Sequence, residues 1–253
     1  MLWRKFQLDW RYAIGEFSIV VLGVLAALWV ENWNSERKEQ LLERQYVQSL
    51  LGDLRSDSES IDHAMQMTEI YAQSGLAVLK SIKEESIDLP PAEYAKAVSR
   101  TGFLVFPTHS RRTINDLMST GNLRIIESED VRTGIDDYYA TIDDVTQFHH
   151  NWREYQIHLG KILPEVISFE ARQVASHFDQ DMVAPWVQQG DIVSIGEATT
   201  ILERVSMHPN AGPAIENMVR VQTINYRYTS NAKKHLRELV ETLEAYLRQL
   251  ERR

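Results

Sequence analysis

AIGEFSIVVLGVLAALWV, residues 13–30, is the most hydrophobic stretch of this 253-residue chain. Glu16 is its only ionisable member, and the residues from Phe17 to Val30 carry no charge. Counted from Tyr12, the stretch is long enough for about 28 Å of helix. That length is close to the roughly 30 Å thickness of a bilayer's hydrocarbon core. The sequence therefore predicts a single membrane-spanning helix over residues 12–33.

The flanks of this stretch support a membrane-spanning helix. Aromatic rings with a polar edge prefer the two membrane–water interfaces, and a carboxylate one turn inside a helix start can reach the headgroups. The residues predicted at the interfaces are Trp10, Tyr12, Glu16, Trp29 and Trp33.

Two other interpretations of the stretch are a cleaved signal peptide and a buried helix of a soluble protein. Signal cleavage after Ala26 is compatible with the small residues there. However, the apolar run continues to Val30, which is typical of an uncleaved signal-anchor, and the paired aromatic flanks argue against a buried helix. Gly23 and Ala27 are four residues apart and offer a small-residue face for helix packing in the bilayer.

The same region carries three motifs: YAIGEF at 12–17, VLGVLAAL at 21–28 and ENWN at 31–34. With these motifs the chain resembles a bacterial family of single-pass membrane proteins that is catalogued as a domain of unknown function. The resemblance is strongest over residues 12–56 and returns more loosely over 113–139, and the departures from the family are Phe17, Trp29 and Glu31. The resemblance implies membrane attachment and supplies no catalytic residues.

Orientation follows from the basic residues near the span. Three basic residues and the amino terminus precede it, and three basic residues follow it. The slight N-terminal excess favours a cytoplasmic N-terminus under the positive-inside rule, so we expect a periplasmic C-terminal domain. The basic residues are Arg4, Lys5 and Arg11 before the span, and Arg37, Lys38 and Arg44 after it.

The remaining chain shows helical patterns throughout. Residues 35–83 lack proline and repeat apolar residues at helical spacing, which predicts a stalk helix continuing from the membrane. Pro90-Pro91 predicts a stop, followed by short helices over 92–100 and 110–120. Ser128 is a good N-cap for a longer helix that reaches Leu163. We expect a loop over 179–196 and helices over 197–207 and 210–253.

The last predicted helix contains a short heptad pattern formed by Leu236, Val240, Leu243, Leu247 and Leu250. Only about two heptads are clean, which favours a bundle helix over a coiled coil. The predicted fold is all-α: one N-terminal transmembrane helix followed by an elongated antiparallel helical bundle. Its parts are a short tail at 1–11, the transmembrane helix at 12–33 and the soluble bundle at 34–253.

Composition excludes several functions. The 36 acidic residues outnumber the 27 basic ones, giving a net charge of −9, and nucleic-acid binding requires a concentrated basic face instead. The 15 basic and 26 acidic residues of the stretch 51–230 give it a charge of −11. With no cysteine in the chain, disulfides, thiolate metal sites and cysteine nucleophiles are absent.

The candidate chemistry is sparse. His150, Glu154 and His158 repeat every four residues, so they share a helix face and are candidate metal ligands. Their spacing does not match the Glu-x-x-His motif of di-metal bundles, and an exposed polar face is the alternative. Arg111 and Arg112, beside His109 at a predicted helix start, are candidates for holding an anion. No hydrolase elbow, P-loop or dinucleotide fingerprint is present.

These observations predict a non-enzymatic protein, without cofactors, that acts by protein–protein interaction or scaffolding at the bacterial envelope. Its expected partners are the lipid bilayer and another membrane or envelope protein, or a second copy of itself. One alternative is a ligand-sensing extracytoplasmic bundle that works through a partner. The other is a metal-dependent enzyme that uses His150, Glu154 and His158.

Overall fold

The chain is an elongated assembly of helices. The computed structural model describes residues 10–175 and 193–252, with side chains over 15–172 and 193–252. Within these ranges there is no strand, which confirms the all-α prediction. The helices are α1 (Trp10–Glu84), α2 (Pro91–Arg100), α3 (Arg112–Ser119), α4 (Glu129–Val166), α5 (Phe169–Ala175), α6 (Ile195–Met207) and α7 (Ala211–Leu250), with a short 3₁₀ helix at Asn122–Ile125.

Helix α1 is 75 residues long and therefore spans about 110 Å. It passes through the predicted membrane boundary at residue 33 without a break, as the proline-free sequence predicts. It ends at Glu84, and the next residue, Glu85, adopts a left-handed φ of 51°. Pro90 and Pro91 follow, so the predicted stop is confirmed.

Helix α7 packs against both other long helices. It is antiparallel to α1, because Arg44 donates a hydrogen bond to the Leu250 carbonyl at one end while Asn225 bonds Thr68 farther along. It is also antiparallel to α4, because the Phe148 ring stacks on Tyr228 and Gly134 meets Leu239 nearer the other end of α7. The long helices thus form the predicted antiparallel bundle.

The core consists of two apolar clusters along the bundle axis. The cluster nearer the apolar segment includes Leu50, Ile135 and Leu243, and the distal cluster includes Val98 and Leu163. The short helices α2, α5 and α6 contribute to the distal cluster.

The buried line of α7 differs in part from the predicted heptad. Leu236, Leu243 and Leu250 are buried as predicted. The positions between them are filled by Leu239 and Tyr246, whereas Val240 and Leu247 are only half-buried. The reason is that α7 packs between two helices and therefore turns a broader face inward than a single coiled-coil partner requires.

Gly121 and Ser128 mark the end of α3 and the start of α4, and Ser128 is the predicted N-cap. Gly121 ends α3 with a left-handed φ of 71°, which glycine adopts without steric cost. Ser128 caps α4 by accepting a hydrogen bond from the Val131 amide, and Pro164 lies inside the last turns of the same helix. Most of the predicted 179–196 loop lies outside the described residues, and α6 begins at Ile195.

Two glycines of α1 provide a test of this packing. A Cβ on Gly75 would lie 2.4 Å from Val219 Cγ2, so Gly75 allows α1 and α7 to approach closely. We expect Gly75→Ala to destabilise the chain by about 1–3 kcal/mol, the usual cost of overpacking. The measurement is denaturant unfolding of the full chain in detergent, followed by circular dichroism.

Gly52→Ala is the matched control. A Cβ at Gly52 meets nothing within 4 Å, so this substitution is expected to stabilise α1 by about 0.5–1 kcal/mol through helix propensity. If both alanines stabilised the chain equally, the close approach at Gly75 would not exist in solution.

Candidate functional site

The apolar part of α1 stands free of the bundle. Every described side chain from residue 15 to residue 41 is exposed, including Trp29 and Trp33. The segment contains an 18-residue window with a mean hydropathy of 1.5, none of which is buried. It is long and apolar enough to cross a membrane. The Arg37 guanidinium lies 5.9 Å from the Trp33 ring centroid, a cation–π arrangement.

The predicted interface and packing residues lie on this segment of α1. Glu16, Gly23 and Ala27 are exposed, and a Cβ built on Gly23 would meet nothing within 4 Å. Trp10 and Tyr12 belong to α1, but their side chains lie outside the described residues. The small-residue face is thus free of contacts with the rest of the described chain.

The three candidate metal ligands share one exposed face of α4. His150, Glu154 and His158 are exposed to solvent. Among the residues whose side chains are described, no three carboxylate or imidazole groups are arranged to hold a metal ion. Metal binding through these three residues stays a prediction.

A buried carboxylate of α1 is the centre of what we call the junction, the place where α1, the α2–α3 connection and α4 meet inside the cluster that includes Leu50. Asp57 is 1% exposed. Its Oδ1 accepts a hydrogen bond from the Ser110 amide and its Oδ2 accepts one from the Tyr138 hydroxyl, each at 2.7 Å. Burial raises the pKa of Asp57, although the two hydrogen bonds oppose that shift. Asp57 therefore ties α1 to the α2–α3 connection and to α4.

Asp53 performs the same task one turn earlier. It is 5% exposed and accepts a hydrogen bond from the Thr113 amide at the start of α3. Arg112 Nη2 lies 3.3 Å from Asp53 Oδ1, so this arginine forms an ion pair with a carboxylate of the chain. Burial raises the pKa of Asp53, but the hydrogen bonds from Thr113 and Ser110 and the charge of Arg112 outweigh it and lower the pKa.

Glu43 is the third buried carboxylate of α1, at the end of the bundle nearer the apolar segment. It is 1% exposed and accepts hydrogen bonds from the Glu127 amide and the Tyr246 hydroxyl. Burial and the neighbouring carboxylate raise the pKa of Tyr246 to about 12. Glu43 therefore connects α1, the segment before α4 and the C-terminal part of α7.

The α2–α3 connection crosses the bundle without regular structure, and polar side chains satisfy part of its backbone. Gln222 and Asn225 of α7 donate hydrogen bonds to the carbonyls of Phe103 and Val105. On the other side, Ser60 accepts a hydrogen bond from the Thr108 amide. A buried backbone group without such a partner is costly, which explains why polar residues occupy interior positions of α1 and α7.

Two side chains close the junction at its partly exposed edge. Arg111 forms an ion pair with Asp143, and its guanidinium carbon lies 5.4 Å from the Tyr139 ring centroid. The Tyr139 hydroxyl donates a hydrogen bond to the Ser110 carbonyl. Burial raises the pKa of Tyr139. Asp143 is therefore engaged in an ion pair.

These geometries define a structural junction. The carboxylates of Glu43, Asp53 and Asp57 all accept hydrogen bonds from backbone amides of the chain. Sequence reasoning missed them, although a signal was available. Glu43 and Asp57 continue the four-three spacing of Val47, Leu50, Leu54 and Ile61 and therefore occupy core positions of α1. A carboxylate in a core register predicts an internal partner.

Comparison with known proteins adds no relative. Neither a family model, nor a curated protein, nor a solved structure matches this chain.

Removing the central carboxylate tests the junction. Asp57→Ala leaves the Ser110 amide and the Tyr138 hydroxyl without their acceptor, and each unsatisfied buried donor costs about 1–3 kcal/mol. The control is Asp62→Ala on the same helix, which removes a half-exposed partner of Lys233 worth about 0–1 kcal/mol. Unfolding free energies from denaturant titration should separate the two variants. Equal losses would contradict the junction.

His109 predicts a pH dependence of stability. Burial and the charge of Arg111 lower its pKa from 6.5 to about 4, and both ring nitrogens are shielded without a partner among the described residues. The unfolded chain therefore binds the proton more tightly. The contribution of His109 is complete above pH 6.5 and is lost as the pH falls towards about 4.

We expect the difference in unfolding free energy between wild type and His109→Gln to shrink over that pH window. Asp53 and Asp57 titrate in both proteins, so the difference isolates the histidine. A constant difference from about pH 7 to about pH 4.5 would contradict this prediction, because it would mean that His109 binds a proton equally well in the folded and the unfolded chain.

Proposed function

We propose that this chain is a single-pass protein of the bacterial inner membrane whose periplasmic helical bundle acts by protein–protein interaction or scaffolding. The observation that supports this most directly is the continuity of α1. One helix carries the exposed apolar segment and, without interruption, the buried face of the bundle. The bundle is therefore attached to its anchor by a rigid element and not by a flexible linker.

The stand-off of the bundle from the apolar segment supports the same proposal. Trp33 is exposed, and Glu43 is the first fully buried residue after it. The two residues are ten positions apart, which corresponds to about 15 Å of helix. Such a spacer holds the bundle above the headgroups and leaves the sides of α1 accessible to other membrane proteins.

The described grooves suit a protein partner better than a small solute. The groove between α1 and α3 has a volume of about 620 Å³, is open, and is lined by polar side chains such as Tyr46, Arg112 and Asp116. Small-molecule sites are usually enclosed and mainly apolar. The buried carboxylates hold backbone amides and hydroxyls of the chain itself, which favours a structural role for them over catalysis.

A C-terminal fusion tests the anchor and its orientation together. We expect alkaline phosphatase fused after Arg253 to be active in a bacterial host and a fluorescent protein at the same place to be dark. Leu22→Arg with Leu25→Arg should lower phosphatase activity and the membrane-bound fraction, because each charge near the bilayer centre costs about 2.5–3.5 kcal/mol.

The control is Leu76→Arg, an exposed position of α1 outside the apolar segment, which should leave both readings unchanged. A fluorescent fusion without phosphatase activity would place the bundle in the cytoplasm. Recovery of the wild-type chain in the soluble fraction would contradict the membrane anchor.

A further inference from the structure

Because an unbroken helix turns by about 100° per residue, each face of α1 can be followed along the whole helix. Two opposite faces matter here. The buried face of the bundle contains Val47, Leu50, Leu54 and Ile61. On the opposite side, a second set of residues falls within an arc of about 60°. We name this set the α1 seam; it consists of Gly23, Ala27, Asn34, Leu41, Gln45, Gln48 and Gly52.

The α1 seam runs from the apolar segment into the bundle and is free of contacts. All of its residues are exposed, Leu41 to 52%, and a Cβ on Gly23 or Gly52 would meet nothing within 4 Å. Since the rest of the bundle packs on the opposite face, a neighbour could lie along the seam without meeting α4 or α7.

The seam differs chemically from the other exposed faces at the same height. Arg55 is the only charged residue among the exposed α1 side chains of residues 40–56. The neighbouring part of α7 has the charged surface expected of a solvated helix. Its exposed residues between 237 and 249 are Arg237, Glu238, Glu241, Glu244, Ala245, Arg248 and Gln249.

A neutral seam suits a second copy of this chain in particular. In a parallel two-fold pair each residue meets its own copy, so a charged seam would face like charges. A common bilayer would hold both copies at the same depth and in the same direction. Gly23 and Ala27 allow close approach, Asn34 can hydrogen-bond its counterpart as in parallel coiled coils, and Leu41 can pack on Leu41.

The size of the seam fits a membrane-assisted pair. From Gly23 to Gly52 it is about 45 Å long, and a helix is about 10 Å wide, so pairing covers about 900 Å² in total. That area lies in the range of weak specific interfaces. Confinement to one membrane supplies a high effective concentration.

We propose that two copies of this chain pair in parallel along the α1 seam, from Gly23 in the membrane to Gly52 beside the bundle. This inference rests on the proposed function, since the shared bilayer sets the register. Arg37 and Lys38 flank the seam and remain solvated in such a pair.

The absence of cysteine from the chain makes the test direct. Single variants Leu41→Cys, Gln45→Cys and Gln48→Cys are made in the full chain, and bacterial membranes are treated with a short bis-maleimide. We expect a product of twice the chain mass, several-fold more abundant than with Gln40→Cys or Ala245→Cys, which are exposed but off the seam. Two differently tagged copies establish that the product contains only this chain.

A second pair of variants tests the membrane part of the seam. Gly23→Leu should reduce the Leu41→Cys product several-fold. Gly15→Leu is its matched control, because a Cβ on Gly15 also meets nothing within 4 Å, yet Gly15 lies about 100° away from the centre of the seam.

The remaining outcomes separate this inference from the proposed function. Seam products of another mass would identify a different protein as the neighbour, which overturns self-pairing and leaves the interaction role in place. A membrane-bound chain that cross-links equally on and off the seam, or not at all, also overturns the pairing. A chain recovered in the soluble fraction overturns the proposed function and the inference with it.

Discussion

The structure depends on the continuity of α1. In an unbroken helix the rotation per residue is constant, so the direction of every side chain follows from its position in the chain. Each residue between Trp10 and Glu84 has a direction fixed by its position in the chain, at about 100° per step. The side that buries Leu50 and Leu54 in the bundle is therefore set relative to the side that carries Gly23 and Ala27 in the apolar segment. The apolar segment and the bundle share one helix, so their relative orientation is fixed by the number of residues between them.

The second requirement comes from the α2–α3 connection. A half-buried segment without helical hydrogen bonds must find partners for its backbone elsewhere. Here those partners are side chains of the long helices: Asp57 and Ser60 from α1, and Gln222 and Asn225 from α7. Asp53 of α1 accepts a hydrogen bond from the first turn of α3. The path of the connection thus explains why these polar side chains lie in the interior. Their hydrogen-bonding groups are used to hold the backbone of the chain.

This arrangement bears on what the protein can do. The buried carboxylates of α1 bond groups of the chain itself, whereas the apolar segment and the uncharged face of α1 are exposed. These carboxylates are therefore engaged, and that face of α1 is available. That contrast is the physical basis for proposing an interaction role in the membrane, with a second copy as the partner whose surface matches by symmetry.

Much of the fold could be predicted from local sequence. The apolar run of residues 13–30, the absence of proline up to Lys83, the Pro90-Pro91 stop and the Ser128 cap each act within a few residues, and each determined its element. The buried face of α7 was predicted only in part. Leu239 and Tyr246 are buried by two neighbouring helices that the α7 sequence does not specify. The core spacing of Glu43 and Asp57 indicates that they have internal partners, but it does not say which ones. The partners of the three carboxylates lie between 53 and 203 residues away in the chain, from Ser110 for Asp57 to Tyr246 for Glu43. Sequence by itself determined which segments are helical and which is apolar, since these properties are local; only the tertiary structure decided which polar groups meet, since that depends on how distant helices pack.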